Sequence, residues 1–319
     1  SLGESSYMAA GQERLLKRRI RSIESTKKIT RAMELIASSR IARARSRIAS
    51  ARPFVEGMTT AAIAVALDDH SSSNRLLVPS QHGRFLTVVI AADRGLCGFY
   101  NTAVLRASEA TIGERRAEGR DGMVVAVGKK AQSYFRYRGI HVDVAFSGMS
   151  DRPSLEDAKR VASSVVQPFL DKEVDIVEIV STRFISAGRS RVETRRILPV
   201  PVDESAEHRG MGYTEFEPTT EEVVDALVPA YVEASILGAL LEASASEHAS
   251  RQRAMAAATE NAEELIKALT RTMNRVRQDA ITTEIMEIVG GAEALRQAAE
   301  RAVGEEDRTA EVSEGSFPR

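Results

Sequence analysis

Cysteine is almost absent. Cys97 stands alone in 319 residues, which excludes an internal disulfide and suits a reducing compartment. The five histidines are scattered, so no cluster with metal-ligand spacing arises. No apolar run approaches the roughly 18 residues of a membrane span. Catalytic signatures are missing too. There is no G-x-S-x-G, no H-E-x-x-H and no G-x-G-x-x-G, so neither hydrolase nor dinucleotide chemistry is indicated. Gly128-Lys129-Lys130 looks like the end of a phosphate-binding loop. However, it lacks the glycine five places earlier, and Lys130 stands where Ser or Thr would bind magnesium.

Proline is confined. None precedes Pro53, and after Pro229 only Pro318 occurs. The two proline-free ends are rich in Ala, Glu, Leu, Arg and Gln, the strong helix formers. In the C-terminal stretch Met255, Thr259, Ala262, Ile266, Leu269, Met273, Val276 and Ala280 recur in alternating steps of four and three, the heptad seam of a coiled coil. In the N-terminal stretch Ile20, Ile23, Lys27, Thr30, Glu34, Ala37, Ile41, Ala44 and Ile48 keep a similar rhythm. A helix from Tyr231 to Ile288 would be about 90 Å long at ~1.5 Å per residue, more than one compact domain needs. The economical reading winds the two ends together.

Net charge is only −1 but unevenly spread. Residues 13–52 carry 13 Lys and Arg against three acids, which points to an anionic or acidic partner. A basic coiled coil that binds nucleic acid, or acts as a scaffold, is the alternative such a helix leaves open. Beyond Gly304 the acids Glu305, Glu306, Asp307, Glu311 and Glu314 dominate, and a disordered tail is expected.

Between the helices the pattern alternates. Phe85–Ala91, Met123–Val127, His141–Phe146 and Val174–Ser181 read as strands, with helices after Asn101, over Lys129–Arg138 and along Leu155, Ala158, Ala162, Val165 and Phe169. Alternation of this kind implies a mostly parallel sheet covered by helices. Arg191–Val200 reads as an edge strand closed by Pro199 and Pro201. The expected fold is therefore α+α/β: an antiparallel coiled coil of long N- and C-terminal helices with an inserted Rossmann-like α/β domain. The expected divisions are 12–70 for the first helix, 84–202 for the α/β foot, 203–220 for a connecting loop, 221–300 for the last helix and 304–319 for the tail.

Three segments in order resemble one family. Lys28-Ile29-Thr30-Arg31-Ala32-Met33-Glu34-Leu35-Ile36-Ala37, Asp93-Arg94-Gly95-Leu96-Cys97-Gly98 and Ile281-Thr282-Thr283-Glu284-Ile285-Met286-Glu287-Ile288-Val289-Gly290-Gly291-Ala292 are similar to motifs of the gamma subunit of rotary F-type ATP synthases. The likeness covers about Gln12 to Leu295. It implies a non-catalytic central shaft, without cofactor or metal, that couples rotation of a c-subunit ring to conformational change in catalytic beta subunits. The partners implied are the alpha and beta subunits, the epsilon subunit and the c ring, with no nucleic acid. One copy per complex is implied, peripheral on the cytoplasmic face of a bacterial plasma membrane and touching the membrane only through the c ring.

Matched residue by residue, the resemblance implies that Arg277, Gln278 and Thr282 meet a catch loop of a beta subunit. Arg251 matches another functionally important helix arginine. Met33, with Lys27, Lys28 and Arg31, matches the helix stretch beside an acidic lever of that subunit. Phe216 and Glu217 match foot contacts to the c ring or epsilon subunit. The dithiol switch of chloroplast members needs a cysteine pair near Phe184–Arg196, which this sequence lacks.

Overall fold

The computed structural model describes residues 2–66, 83–201 and 220–314. Positions 203–219 of the expected connecting loop 203–220, with the site residues Phe216 and Glu217, lie outside the described residues. The chain runs α1 (Leu2–Ala66), β1 (Phe85–Ile90), α2 (Tyr100–Ala117), β2 (Gly122–Val127), α3 (Lys129–Tyr137), β3 (Val144–Phe146), α4 (Leu155–Leu170), β4 (Ile176–Phe184), β5 (Ser190–Leu198) and α5 (Thr220–Glu314). Helix α1 thus starts before residue 12 and passes through Pro53.

Helix α5 carries Pro229 and continues to Glu314, through most of the tail for which disorder was expected. Few apolar residues deny that tail a packed core, but they do not stop a helix. Ala, Glu and Arg propagate the turn that precedes them, and no proline intervenes.

Two compact units form. One comprises residues 30–257 and the other the stretches before residue 30 and after residue 257. Helix α5 supplies core to the first of these units.

In that first unit the five strands lie in the order β3-β2-β1-β4-β5. β1 pairs in parallel with β2 and β4, β2 in parallel with β3, and β5 antiparallel with β4 at the edge. Side chains of β1 alternate between two cores, as a pleated strand requires. Leu86, Val88 and Ile90 join α4 (Val161, Val165, Phe169) and α5 (Val232, Ile236, Leu240). Phe85 and Val89 join α2 (Val104, Leu105, Ile112) and α3 (Ala131, Phe135).

Residues 231–249 of α5 are buried almost all round. Alanine, serine and glycine permit this; at Gly238, an added Cβ would lie 3.3 Å from Val55 of α1. The segment also answers the membrane question. Helix α5 contains an 18-residue window of mean hydropathy 1.4, long and apolar enough by length and composition alone to cross a membrane, although glutamates such as Glu233 and Glu242 interrupt its apolar runs. That window is 61% buried within the protein, as a core helix should be.

Gly128, between β2 and α3, has φ 97°, and an added Cβ would stand 2.1 Å from the Ala91 carbonyl oxygen. Gly128→Ala is expected to cost well over ~1 kcal/mol, since the new residue fits neither the dihedral nor the space. Urea titration of the variant against the wild type measures it.

In the second unit the heptad positions Ile20, Ile23 and Lys27 of α1 and Thr259, Ala262, Ile266, Leu269, Met273, Val276 and Ala280 of α5 are the less exposed ones, and their neighbours are mostly exposed. Lys27 Nζ lies 2.8 Å from the Glu263 carboxylate.

Candidate functional site

The turn after β1 is built by one carboxylate. Asp93 Oδ1 accepts from the Lys129 amide at 3.1 Å, and Oδ2 accepts from the amides of Gly148 at 2.9 Å and Ser150 at 3.3 Å. The Lys130 amide donates to the Ala92 carbonyl at 3.1 Å. The first amides of α3 therefore already have acceptors. Where a phosphate would sit at a helix N-terminus, this chain puts Asp93. Gly128-Lys129-Lys130 is thus a strand–helix junction whose glycine answers a steric need.

Helix α5 holds the same turn from behind. Arg251 Nη2 donates to the Gly95 carbonyl at 3.2 Å and lies 2.7 Å from Glu247 Oε1. Ser250 Oγ donates to the Cys97 carbonyl at 2.7 Å. Arg251 is 7% exposed and Glu247 1%. Arg251, for which a partner contact was expected, thus has bonds within its own chain. Its guanidinium is consumed by a buried ion pair and a backbone carbonyl. Burial pushes the Glu247 carboxyl above its ordinary range, and the neighbouring Arg251 charge opposes that rise.

Next to it lies a polar knot. Arg40 of α1 donates to Asp151 Oδ1 at 2.5 Å, Arg94 stands 3.9 Å from Oδ2, and His248 Nε2 is 3.4 Å from the Asp151 carbonyl. The ligand atoms of Asp151, Glu247 and His248 lie within 4.8 Å of one another. A cation here would face three guanidinium groups around two carboxylates, and it would have to displace Arg40 or Arg251. The arrangement is an ion-pair knot, and its donor set does not suit a metal ion.

His248 is buried, and burial first of all holds its imidazole below the ordinary histidine range; Arg251 and Arg40 also lower it, while Asp151 opposes them. A lowered folded pKa means that the unfolded chain takes up the proton first. The associated stability is complete above the unfolded value of about 6.5 and is lost as pH falls through the folded value. His248→Gln should flatten the fall of melting temperature between pH 7 and pH 5. An unchanged slope would assign the fall to other groups.

The remaining sequence-predicted residues are more open. Arg277, Gln278 and Thr282 are all exposed on α5, outside the seam positions. Gln278 and Thr282, four residues apart, share a helix face. Exposed Ile281, Ile285 and Met286 accompany them at 45%, 54% and 68%. The Arg277 charge also helps to lower the Glu13 carboxyl, whose main cause is the hydrogen bond from Lys17. Lys28 is exposed, Lys27 faces Glu263, and Arg31 donates to Glu34 at 2.9 Å. Met33 lines a cavity of about 260 Å³ with Ile36, Arg40, Arg94, Leu96 and Arg251. Sequence reasoning missed Asp151, Glu247 and His248. For Glu247 and His248 the only signal was the placing of charged residues within an otherwise apolar, helix-forming stretch; Asp151, in the loop before α4, had none.

The family described as ATP synthase matches residues 12–295. A curated relative from Frankia casuarinae, named ATP synthase gamma chain, is 48% identical over 295 residues, covering 90% of this chain and 98% of that one. A protein of the same name from Parafrankia is 45% identical, covering 91% and 100%. Among solved structures, a chain of the Euglena gracilis mitochondrial ATP synthase (OSCP/F1/c-ring) superposes with TM-score 0.62 at 17% identity, covering 91% and 96%. A chain from the Tetrahymena thermophila ATP synthase central stalk and c ring gives TM-score 0.54 at 24% identity, covering 72% and 99%. At these identities the two structures speak for the fold alone.

Proposed function

The chain belongs to the ATP synthase gamma-chain family, and on that footing we propose that it is the central rotor shaft of a proton-translocating ATP synthase. It is a non-catalytic subunit. The observation that carries the reading is the match over 12–295, which takes in most of both long helices and all the α/β elements between them. Composition alone had left a nucleic-acid-binding coiled coil open, and relatives of this identity and coverage do not favour it.

The mechanism follows from what the chain must do without a reacting group of its own. It can alter nucleotide affinity elsewhere only by contacting different conformations of a partner unequally. A shaft whose faces differ presents a different face to each beta subunit at any moment. Turning it then carries each subunit through the affinities that synthesis requires. Hydrolysis drives the reverse motion.

The two long helices are proposed to pair as an antiparallel coiled coil. Support comes from the reduced exposure of the seam positions and from Lys27 beside Glu263. Arg277, Gln278 and Thr282 are proposed to meet a beta-subunit loop, with Arg277 supplying a charge-assisted hydrogen bond to an acidic residue. Met33, Lys27, Lys28 and Arg31 are proposed beside an acidic segment of the same partner. Arg251 is proposed at the edge of this set, since it lines a cavity with Met33 while its guanidinium bonds to Glu247 and the Gly95 carbonyl. Phe216 and Glu217 remain proposed foot contacts, to the c ring or epsilon subunit. The complex would lie on the cytoplasmic face of the plasma membrane, with one copy of this chain per complex.

Purifying the full chain with its native partners tests the reading. Alpha and beta subunits in fixed ratio to this chain are expected. A preparation that retains polynucleotide and lacks both subunits would overturn it.

A further inference from the structure

Helix α1 spaces Arg40, Arg43 and Arg47 three and four residues apart, so their guanidinium groups rise from one helix face. They line a cavity of about 190 Å³ with Asp151 and Arg152 from the loop before α4 and His248 from α5. All of these residues belong to the unit 30–257. The charges around the cavity do not balance. Asp151 is the one carboxylate on its wall, and Arg40 already takes Oδ1 at 2.5 Å. Arg43 donates to the Ser39 hydroxyl at 2.8 Å. Arg47 and Arg152 have no carboxylate or other acceptor among the described residues. Like charges gathered in this way repel, and what the enclosure lacks is an anion.

A second feature faces the same space. His248 is 1% exposed and lines the cavity. Its Nε2 lies 3.4 Å from the Asp151 carbonyl oxygen. That oxygen can only accept, so Nε2 carries the proton of the neutral ring. Nδ1 is then a bare lone pair, buried and without a hydrogen-bond partner, a costly state for a polar atom. A proton on Nδ1 would make it a donor, and an imidazolium among guanidinium groups needs an anion beside it. The volume is the share of about six waters at ~30 Å³ each, room for a tetrahedral oxyanion and part of its hydration.

We propose that this cavity binds a phosphate-class oxyanion through Arg43, Arg47 and Arg152, and that the anion enters together with a proton on His248 Nδ1. Planar guanidinium forks suit phosphate oxygens, and the imidazolium would donate one further hydrogen bond. The groups that face His248 set the coupling. Burial above all, with the Arg251 and Arg40 charges, holds its imidazole below the ordinary range, and Asp151 opposes them. Arg94 stands 3.9 Å from Asp151 Oδ2, and Glu247 is paired with Arg251. A bound anion joins the Asp151 side of that balance, so binding strengthens as pH falls. The ion would tie α1 to the loop before α4 and to α5. The inference goes beyond the shaft reading and does not depend on it.

Isothermal titration calorimetry on the full chain at fixed ionic strength tests this. Inorganic sulfate, a dianion at every pH used, is the first probe. Saturable binding is expected, with affinity rising at least ~threefold from pH 8 to pH 6, and inorganic phosphate should compete. Arg47→Gln with Arg152→Gln alters one half-buried and one exposed position. It should weaken binding about tenfold or more, with the melting temperature in chloride unchanged. His248→Gln should retain binding and lose its pH dependence. ATP separates the sources of the anion. Sulfate displaced by ATP assigns the site to a nucleotide phosphate, and sulfate that ATP leaves in place assigns it to the free ion; either supports an oxyanion site. No saturable binding up to about 50 mM, full affinity in the double arginine variant, or pH dependence that survives His248→Gln would overturn the proposal. If His248→Gln does not fold, wild-type binding heats in two buffers of different ionisation enthalpy decide the same point. Proton uptake supports the coupling, and none at pH 7 overturns it.

Discussion

Replacing Arg277 and Gln278 together by alanine is expected to lower the coupled rate of ATP turnover and proton transport by on the order of tenfold or more, with the complex still assembled. Both residues are exposed on α5, outside the seam positions, so truncating them opens no cavity and strands no buried charge. Surface substitutions of this kind usually move stability by less than ~0.5 kcal/mol. The proposed contact is another matter. A charge-assisted hydrogen bond is worth about 1.5–3 kcal/mol and a neutral one about 1, and each ~1.4 kcal/mol of differential stabilisation is a factor of ten in rate. Only the part that differs between the partner's conformations counts, which sets the estimate toward the lower end. Steady-state hydrolysis and acidification of vesicles, compared at equal amounts of assembled complex, give the measurement. Wild-type coupling in the double variant would remove these residues from the contact.

Arg251→Ala should act through stability instead. It leaves the Glu247 carboxylate 1% exposed with its cationic partner gone, and it removes the donor to the Gly95 carbonyl. Breaking a buried pair from one side costs about 3–5 kcal/mol, a large share of the 5–15 kcal/mol that typically holds a domain together. Replacing both members by apolar residues, Glu247→Leu with Arg251→Met, should recover most of that loss, because no charge then remains to be desolvated. Chemical denaturation of the three proteins decides it. If single and double substitutions destabilise equally, the ion pair is not what Arg251 contributes.

Much of the fold was legible because its signals are local and periodic. The heptad steps from Met255 to Ala280 and from Ile20 to Ile48 mark the residues that turn out less exposed. The run Phe85–Ala91 became β1 (Phe85–Ile90), and Arg191–Val200 became the edge strand β5 (Ser190–Leu198). What was not legible depends on distance in the chain. Arg251 reads as a surface helix arginine until the Gly95 carbonyl, 156 residues away, is seen beside it. Asp151 shows no motif, yet it gathers Arg40 from a position 111 residues earlier and His248 from one 97 residues later. Serines and alanines at 234–249 of α5 carry no mark of burial in the sequence. Their small size is what lets that helix run through a core.

The proposed contact residues form a separate case. Arg277, Gln278 and Thr282 could be named only through resemblance, since an exposed polar residue on a helix carries no local mark of what it will touch.

The most direct measurement watches the subunit turn. The assembled complex is fixed to a surface through its alpha and beta subunits, and a bead is attached through Tyr137→Cys. That side chain is 85% exposed, whereas the native Cys97 is buried at 1% and should escape labelling. On adding ATP, the bead should rotate continuously in one sense at a rate that follows hydrolysis. A bead that stays fixed while ATP is consumed would contradict the account.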